Sequence, residues 1–298
     1  KSIIQRTNST DYGKTVYPEK WLKDAFVEMH KAFVSFDGSM LMSLVFGLID
    51  ERTGVMYFLN AEHPDIVLYR DGKASFIETT ANYTKLGTQG QAGSISVQVF
   101  SLLPDDIIIS GSDGRDDIII GKEEDSDYDI INEDHELFLR HVEHAEGDIR
   151  KIYNHIAATG KLMDDISLCK IQYKSSPVNE RKISLEETLK SMYQYKVESN
   201  HEKFLEEGEK LIADYPHLTN YLYEISSVYK DLKQYNKAIS IAERARTRFP
   251  KNFDNLLVLL ESYIETGNTE KVRITIDTCL SINPKDEKLL ELVKLARK

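Results

Sequence analysis

Over residues 18–36 the apolar positions recur at helical spacing. Leu22, Phe26, Met29 and Phe33 share one face, and Pro18 suits a first turn. The pattern then changes to short apolar runs separated by turn residues, which predict strands over 41–50, 55–61, 66–70, 74–78, 95–101 and 106–110. Arg52-Thr53-Gly54 and Asp71-Gly72 mark hairpin turns. The second is the stronger signal, because Asp and Gly both tolerate positive φ. Helical spacing returns over 133–159 as two helices, and 165–173 predicts a last strand. This order is mixed α and β with antiparallel hairpins, not alternating βαβ units.

The remaining chain carries a repeat. Pro216, Pro250 and Pro284 follow one another at 34 residues, as do Tyr195, Tyr229 and Tyr263, each tyrosine 21 residues before its proline. Ala238 and Ala245 fall in register with Val272 and Cys279. Two residue types on one period are hard to obtain by coincidence in an ordinary helical bundle, and the pattern resembles the tetratricopeptide repeat. The resemblance implies an all-α solenoid in which Tyr closes each first helix, small residues admit close packing and Pro ends each second helix. The repeats are expected over 185–216, 219–250 and 253–284, as helix pairs over 185–213, 219–247 and 253–281. A capping helix over 286–297 presents Lys and Arg outward. The first repeat departs most, with Phe204 and Gly208 where the others hold smaller or β-branched residues. Solenoids of this kind hold protein partners on a concave face. Periodicity directs Tyr193, Lys196, Asn220, Tyr223 and Lys230 to that face, although simple solvation accounts for them equally well. Nothing in this part reads as catalytic.

Composition narrows the function. The chain has 298 residues, 41% of them hydrophobic and 29% charged, as expected of a globular protein with two domains. The net charge is −11, and residues 1–170 account for all of it, with 29 acidic against 17 basic side chains. Such a surface repels nucleic acid and anionic lipid. Cys169 and Cys279 form no metal-type spacing and no disulfide framework, so the cytosol is the expected compartment. The longest apolar run, 40–49, is half the length of a membrane helix, and no stretch reads as a signal peptide.

Two acidic positions suggest chemistry. Asp113-Gly114 follows the isoleucines at 107–109, and Asp164-Asp165 opens the final predicted strand. Carboxylates at strand ends can aim at one point, and hard cations such as Mg²⁺ and Mn²⁺ prefer oxygen ligands. Taken alone, Asp-Gly is more simply a turn. The surrounding segments add more: 43–50, Gly54 to Tyr57, Asn60-Ala61-Glu62-His63-Pro64, Leu86-Gly87, Leu103-Pro104-Asp105-Asp106, Ser112-Asp113-Gly114 and Asp164-Asp165-Ile166-Ser167. In order and spacing, residues 41–173 resemble the second half of the SpoIIE/RsbU-like branch of bacterial metal-dependent serine/threonine phosphatases, the PPM or type 2C group. The resemblance implies an α-β-β-α sandwich, two Mn²⁺ or Mg²⁺ ions between the sheets, and hydrolysis of phosphoserine or phosphothreonine on a phosphoprotein. In many relatives that phosphoprotein is an anti-sigma antagonist. By the same resemblance Asp113 and Asp164 are metal ligands, Gly114 is the backbone position beside the first, and Asp165 orients its neighbour. Asn60 and His63 belong to a structural signature.

Some positions depart from the family pattern. Glu62 stands where Gly is usual, and Ser167 where Thr is common. Arg115-Asp116-Asp117 replaces a small residue and a Glu, with Asp117 available for the acidic role. The family's first motif, Gly-Asp-x-x-Gly-x-Gly, has no match in residues 1–40, where Asp11-Tyr12-Gly13 and Asp37-Gly38 come nearest, and the first residue is Lys1, not Met. The expectation is therefore a partial phosphatase domain over 1–173, a linker over 174–184, and the repeats over 185–298. The fold class is α+β, an incomplete sandwich, followed by the all-α solenoid. A chain without the bridging carboxylate is expected to be inactive alone, and its open edge to favour self-association.

Other constellations are weaker. His141 and His144 sit at i, i+3 and lack a third ligand, so a surface helix is the simpler reading. Residues 105–149 hold 16 acidic and 3 basic residues, and the run 123–127 reads as a solvated loop. Three functions stay open: a phosphatase with a recruiting or regulatory repeat module, a pseudophosphatase that binds phosphoprotein, and an adaptor acting through its repeats.

Overall fold

The computed structural model describes residues 17–51, 53–77, 83–89, 95–123, 128–174, 184–215, 217–218 and 220–296. Asp11-Tyr12-Gly13, Arg52, residues 124–127 of the acidic run, the linker residues 175–183 and Pro216 lie outside the described residues. The first part runs α1 (Pro18–Val34), β1 (Leu44–Asp50), β2 (Val55–Ala61), β3 (Val67–Arg70), β4 (Lys73–Phe76) and β5 (Gln98–Ser101). It continues with β6 (Ile107–Gly111), β7 (Ile118–Lys122), β8 (Asp129–Ile131), α2 (Leu137–His144), α3 (Ile149–Thr159), β9 (Lys161–Leu162) and β10 (Leu168–Gln172).

Two antiparallel sheets, in the orders β1-β2-β5 and β10-β6-β3-β4, stack face to face. Strand alternation decides what each covers. In β2, Val55, Tyr57, Leu59 and Ala61 pack with Leu22 and Phe26 of α1, while Met56 and Phe58 pack with Leu68 and Ile108 of the other sheet. Every residue of β2 is buried, as a strand covered on both faces requires. In β6 the neighbours of Ile108 point the other way: Ile107 and Ile109 join Phe138 and Val142 of α2 and Ile152 and Ile156 of α3. The layers are therefore α-β-β-α. The β3–β4 hairpin turns through Asp71 and Gly72 at φ 51° and 79°, the left-handed pair that a two-residue turn demands. A third small sheet, β8-β7-β9, was not among the predicted strands, and the run read as a loop, 123–127, lies between β7 and β8.

The second part is helical: α4 (Leu185–Val197), α5 (His201–Asp214), α6 (Asn220–Asp231), α7 (Tyr235–Arg248), α8 (Phe253–Glu265), α9 (Thr269–Ile282) and α10 (Glu287–Ala296). The 34-residue period becomes a set of repeated bonds. Asn200 and Asn268 cap α5 and α9 through their side chains, with Gln234 at the matching position before α7. The Tyr229 hydroxyl donates to Glu209 and that of Tyr263 to Glu243, in each case on the preceding second helix. Lys203, Lys237 and Lys271 lie over the rings of Tyr195, Tyr229 and Tyr263 at 5.5, 5.0 and 5.1 Å.

The two parts meet where α1 lies against α7. Glu19, fully buried, accepts from the Nε of Arg244 at 3.1 Å and of Arg248 at 3.0 Å. Tyr17 and Ser240 hydroxyls pair at 2.8 Å, and the Val97 N–H donates to the Thr247 carbonyl at 2.8 Å. Among the described residues no helix is long and apolar enough to cross a membrane.

Candidate functional site

The end of β6 and the approach to β10 bring the acidic residues together. Past Gly111 the chain makes a short 3₁₀ turn, Asp113–Arg115. Ser112 fastens this turn to the second acidic segment. Its N–H donates to the Ser167 carbonyl at 2.9 Å, and its hydroxyl accepts from the Ser167 N–H at 2.9 Å and donates to the Asp165 carbonyl at 3.2 Å. Gly114 permits the contact, since a Cβ there would stand 2.5 Å from the Asp165 carbonyl oxygen. The Asp113 carbonyl accepts from the N–H groups of Asp116 at 2.8 Å and Asp117 at 3.1 Å. The Met163 N–H in turn donates to the Asp117 carbonyl at 3.1 Å. Asp113, Asp117 and Asp164 thus share one small region, each on a hydrogen-bonded backbone.

Their electrostatics follow from that crowding. Partial burial, then the charges of Asp113, Asp116 and Asp164, push the Asp117 carboxyl above its usual value. Asp113 Oδ1 accepts from the Gly114 N–H at 3.1 Å, and Asp164 Oδ1 from the Asp165 N–H at 2.7 Å. Among the described residues none of Asp113, Asp117 and Asp164 forms an ion pair. The nearest guanidinium in sequence, Arg115, is buried instead. It bonds Asp116 at 3.1 Å and the Asp65 carbonyl at 2.8 Å, and lies 4.3 Å over the Phe138 ring. An all-oxygen donor set with uncompensated charge fits a hard divalent cation such as Mn²⁺ or Mg²⁺. The ligand count does not close: among the described residues no three His, Cys, Asp or Glu side chains stand close enough together to hold an ion.

Asn60 and His63 form a loop beside this region. Asn60 accepts from the His63 N–H and donates to the His63 carbonyl, both at 2.9 Å. Glu62, between them, has φ 46°, the left-handed conformation that glycine adopts freely. The loop, with Arg115, Asp116 and His135, walls a cleft of about 590 Å³. His155 is a residue that linear spacing missed. It lies 6.4 Å ring to ring from His141 and 6.0 Å from His144 because α2 and α3 pack together.

On the repeats, Asn220 and Tyr223 line a recess of about 170 Å³ with Phe249, Asn252 and Asn255. Tyr193 is 72% exposed. The lysines are already paired across repeats, Lys196 with Glu224 at 3.0 Å and Lys230 with Glu261 at 3.3 Å. This face is therefore close to neutral.

The family model described as Stage II sporulation protein E (SpoIIE) matches residues 2–174, and one described as Tetratricopeptide repeat matches 230–295. Among solved structures, the phosphatase domain of SpoIIE from Bacillus subtilis, presoaked with Mn, is similar at 14% identity and TM-score 0.37, over 59% of this chain and 73% of that one. The Arabidopsis OM64 TPR domain is similar at 13% identity and TM-score 0.35, over 38% of this chain and 93% of that one. The first TPR of Spaghetti (RPAP3), bound to an HSP90 peptide, is similar at 14% identity and TM-score 0.35, over 39% and 95%. A search of the curated proteins finds no match.

Proposed function

We propose that this chain, which belongs to the stage II sporulation protein E (SpoIIE) family through residues 2–174, serves metal-dependent hydrolysis of phosphoserine or phosphothreonine on a partner protein, and that its repeats recruit or regulate. The observation that carries the reading is the convergence of Asp113, Asp117 and Asp164 on two turns laced together by Ser112, with no ion-pair partner for them among the described residues. Asp113 and Asp164 would hold divalent ions, and Asp117 would add a further oxygen. Bound there, such ions supply neutralisation of phosphoryl charge and an activated water. The chain's own residues do the positioning. Gly114 lets the turns touch, Ser112 fixes their spacing, and Asp165 presents its carbonyl to Ser112. The cleft beside the Asn60–His63 loop would receive the phosphorylated segment, for example on an anti-sigma antagonist in cytoplasmic signalling. The near-neutral repeat recess favours a peptide anchored by apolar and amide contacts over a strongly acidic one.

The chain has no Gly-Asp-x-x-Gly-x-Gly segment, so its centre lacks a bridging carboxylate and its own turnover is expected to be weak. Assay of a phosphoserine peptide with Mn²⁺ tests this, and brisk hydrolysis by these 298 residues would refute it. Asp113→Asn and Asp164→Asn should each weaken Mn²⁺ binding at least about tenfold by calorimetry. Equal affinity in both variants would remove the phosphatase reading. The open ligand count also favours a second reading, a pseudophosphatase or adaptor scaffold. In that case a phosphopeptide binds and is never cleaved in any longer form of the protein.

A further inference from the structure

The cleft between α1 and α7 takes no part in the chemistry above. It encloses about 700 Å³, and its walls carry Lys20, Lys23, Arg244, Arg246 and Lys271 against the carboxylates of Glu19, Asp24 and Glu243. In a chain of net charge −11 this is a locally positive recess. Most of its cations are engaged. Lys20 pairs with Asp24 at 2.5 Å, Arg246 and Lys271 share Glu243 at 2.7 and 3.0 Å, and Arg244 shares Glu19 with Arg248. Lys23 is the exception, with no hydrogen bond or ion pair to any described residue. Burial, and then the adjacent Arg246 guanidinium, hold its ammonium below the ordinary lysine value, against the nearby carboxylates of Glu243 and Asp24, which pull it the other way. Glu243 and Asp24 offset part of this charge, but the walls still carry five cations against three carboxylates, an excess that an entering anion would neutralise.

We propose that this cleft binds a phosphate-bearing small molecule, with the phosphoryl group seated between Lys23 and Arg246. The chemistry fits in three ways. A lysine point charge and an arginine fork together match an anion with several oxygens. The volume lies in the range of small-molecule sites and exceeds what a bare ion fills. Tyr17 lines the same cleft, with the Arg244 guanidinium 5.2 Å over its ring, and so offers an apolar wall for an organic portion. Lys23 belongs to the phosphatase-like part and Arg246 to the repeats, so neither part holds the site alone. Occupancy would therefore strengthen the joint between them. The proposal does not depend on the carboxylate centre.

Calorimetric titration of the full chain with inorganic phosphate, pyrophosphate and adenosine monophosphate tests it. EDTA is present so that the carboxylate centre holds no cation. The expected result is saturable binding of at least one probe, weaker with added salt. Affinity should fall about tenfold in Lys23→Gln and in Arg246→Gln. Lys23→Arg should keep it, and Asp113→Asn should leave it unchanged. Circular dichroism of each variant separates lost binding from lost folding. Nucleotide binding tighter than phosphate, or equal to it, supports the site and reports how far the organic portion contributes. The proposal is overturned if no probe saturates by about 10 mM, if both glutamine variants that fold bind like the parent chain, or if Asp113→Asn abolishes binding.

Discussion

Gly114 sets how closely the two acidic turns approach. The obstacle to any larger residue is a backbone atom, the Asp165 carbonyl oxygen, which no rotamer change can move. Gly114→Ala should therefore separate the turns and cost about 1–3 kcal/mol, read from urea unfolding. It should also lower Mn²⁺ affinity, whereas an alanine at Gly72, which has open space around its Cβ position, should leave that affinity alone. Arg115 makes a related point. The sequence placed it among the acidic residues as a departure from the family pattern. Its guanidinium in fact lies under α2 on Phe138 and bonds the Asp65 carbonyl and Asp116, so it braces the turn and leaves Asp113, Asp117 and Asp164 without an ion pair among the described residues. Which way such a side chain points depends on a helix some twenty residues further along the chain, and local spacing carries no trace of that.

At the level of elements, periodicity was the reliable guide. β2 and β6 were legible because both faces of each are covered, and the repeat helices because one contact set recurs every 34 residues. The Tyr-Glu-Lys contacts explain why tyrosine marks the period. Tyr263→Phe removes the hydroxyl that donates to half-buried Glu243 but leaves that carboxylate with Arg246 and Lys271. A loss of about 1.5 kcal/mol is expected, measured by thermal unfolding. Tyr229→Phe should cost a similar amount, and the two should add if the repeats act through separate contacts. The first repeat's odd pair also finds a reason. A Cβ at Gly208 would stand 2.9 Å from the Ile225 side chain, so the glycine makes room in a core that Phe204 fills. β7, β8 and β9 were not legible. Two to five residues hold too few alternations to show a period, and these strands exist only because they pair with one another.

For the whole molecule the decisive contact is Glu19 with Arg244 and Arg248. Burial by itself would raise the Glu19 carboxyl, but the two guanidiniums outweigh it and hold the value below 4.5. The folded value is thus depressed relative to the unfolded one. The contribution to stability is present above about pH 4.5 and is lost as the pH falls through the folded value. Glu19→Gln does not titrate, so the stability difference between it and the parent should shrink as acid unfolding is followed below pH 4.5. Glu19→Ala leaves two buried arginines without their carboxylate and should cost about 3–5 kcal/mol. Because this joint ties α1 to α7, the intact chain should unfold in one calorimetric transition. Glu19→Ala should split it, with the repeats melting separately. One transition in both proteins would show that the joint does not couple the parts.

The layers of the first part were expected only from the family resemblance, whereas the sequence alone determined the order of most of its elements, the period of the second part, and the residue types from which a cation centre is built. Those follow from local patterning, since a buried face repeats at two or at 3.6 residues and a repeat copies its own contacts. Tertiary structure decided what meets across long separations: Asp113 and Asp117 with Asp164, His155 with His141, and Glu19 and Lys23 with α7. Residues far apart in the chain become neighbours only when packed layers bring them together, and charge at such junctions depends on burial and partners that no single stretch of sequence contains.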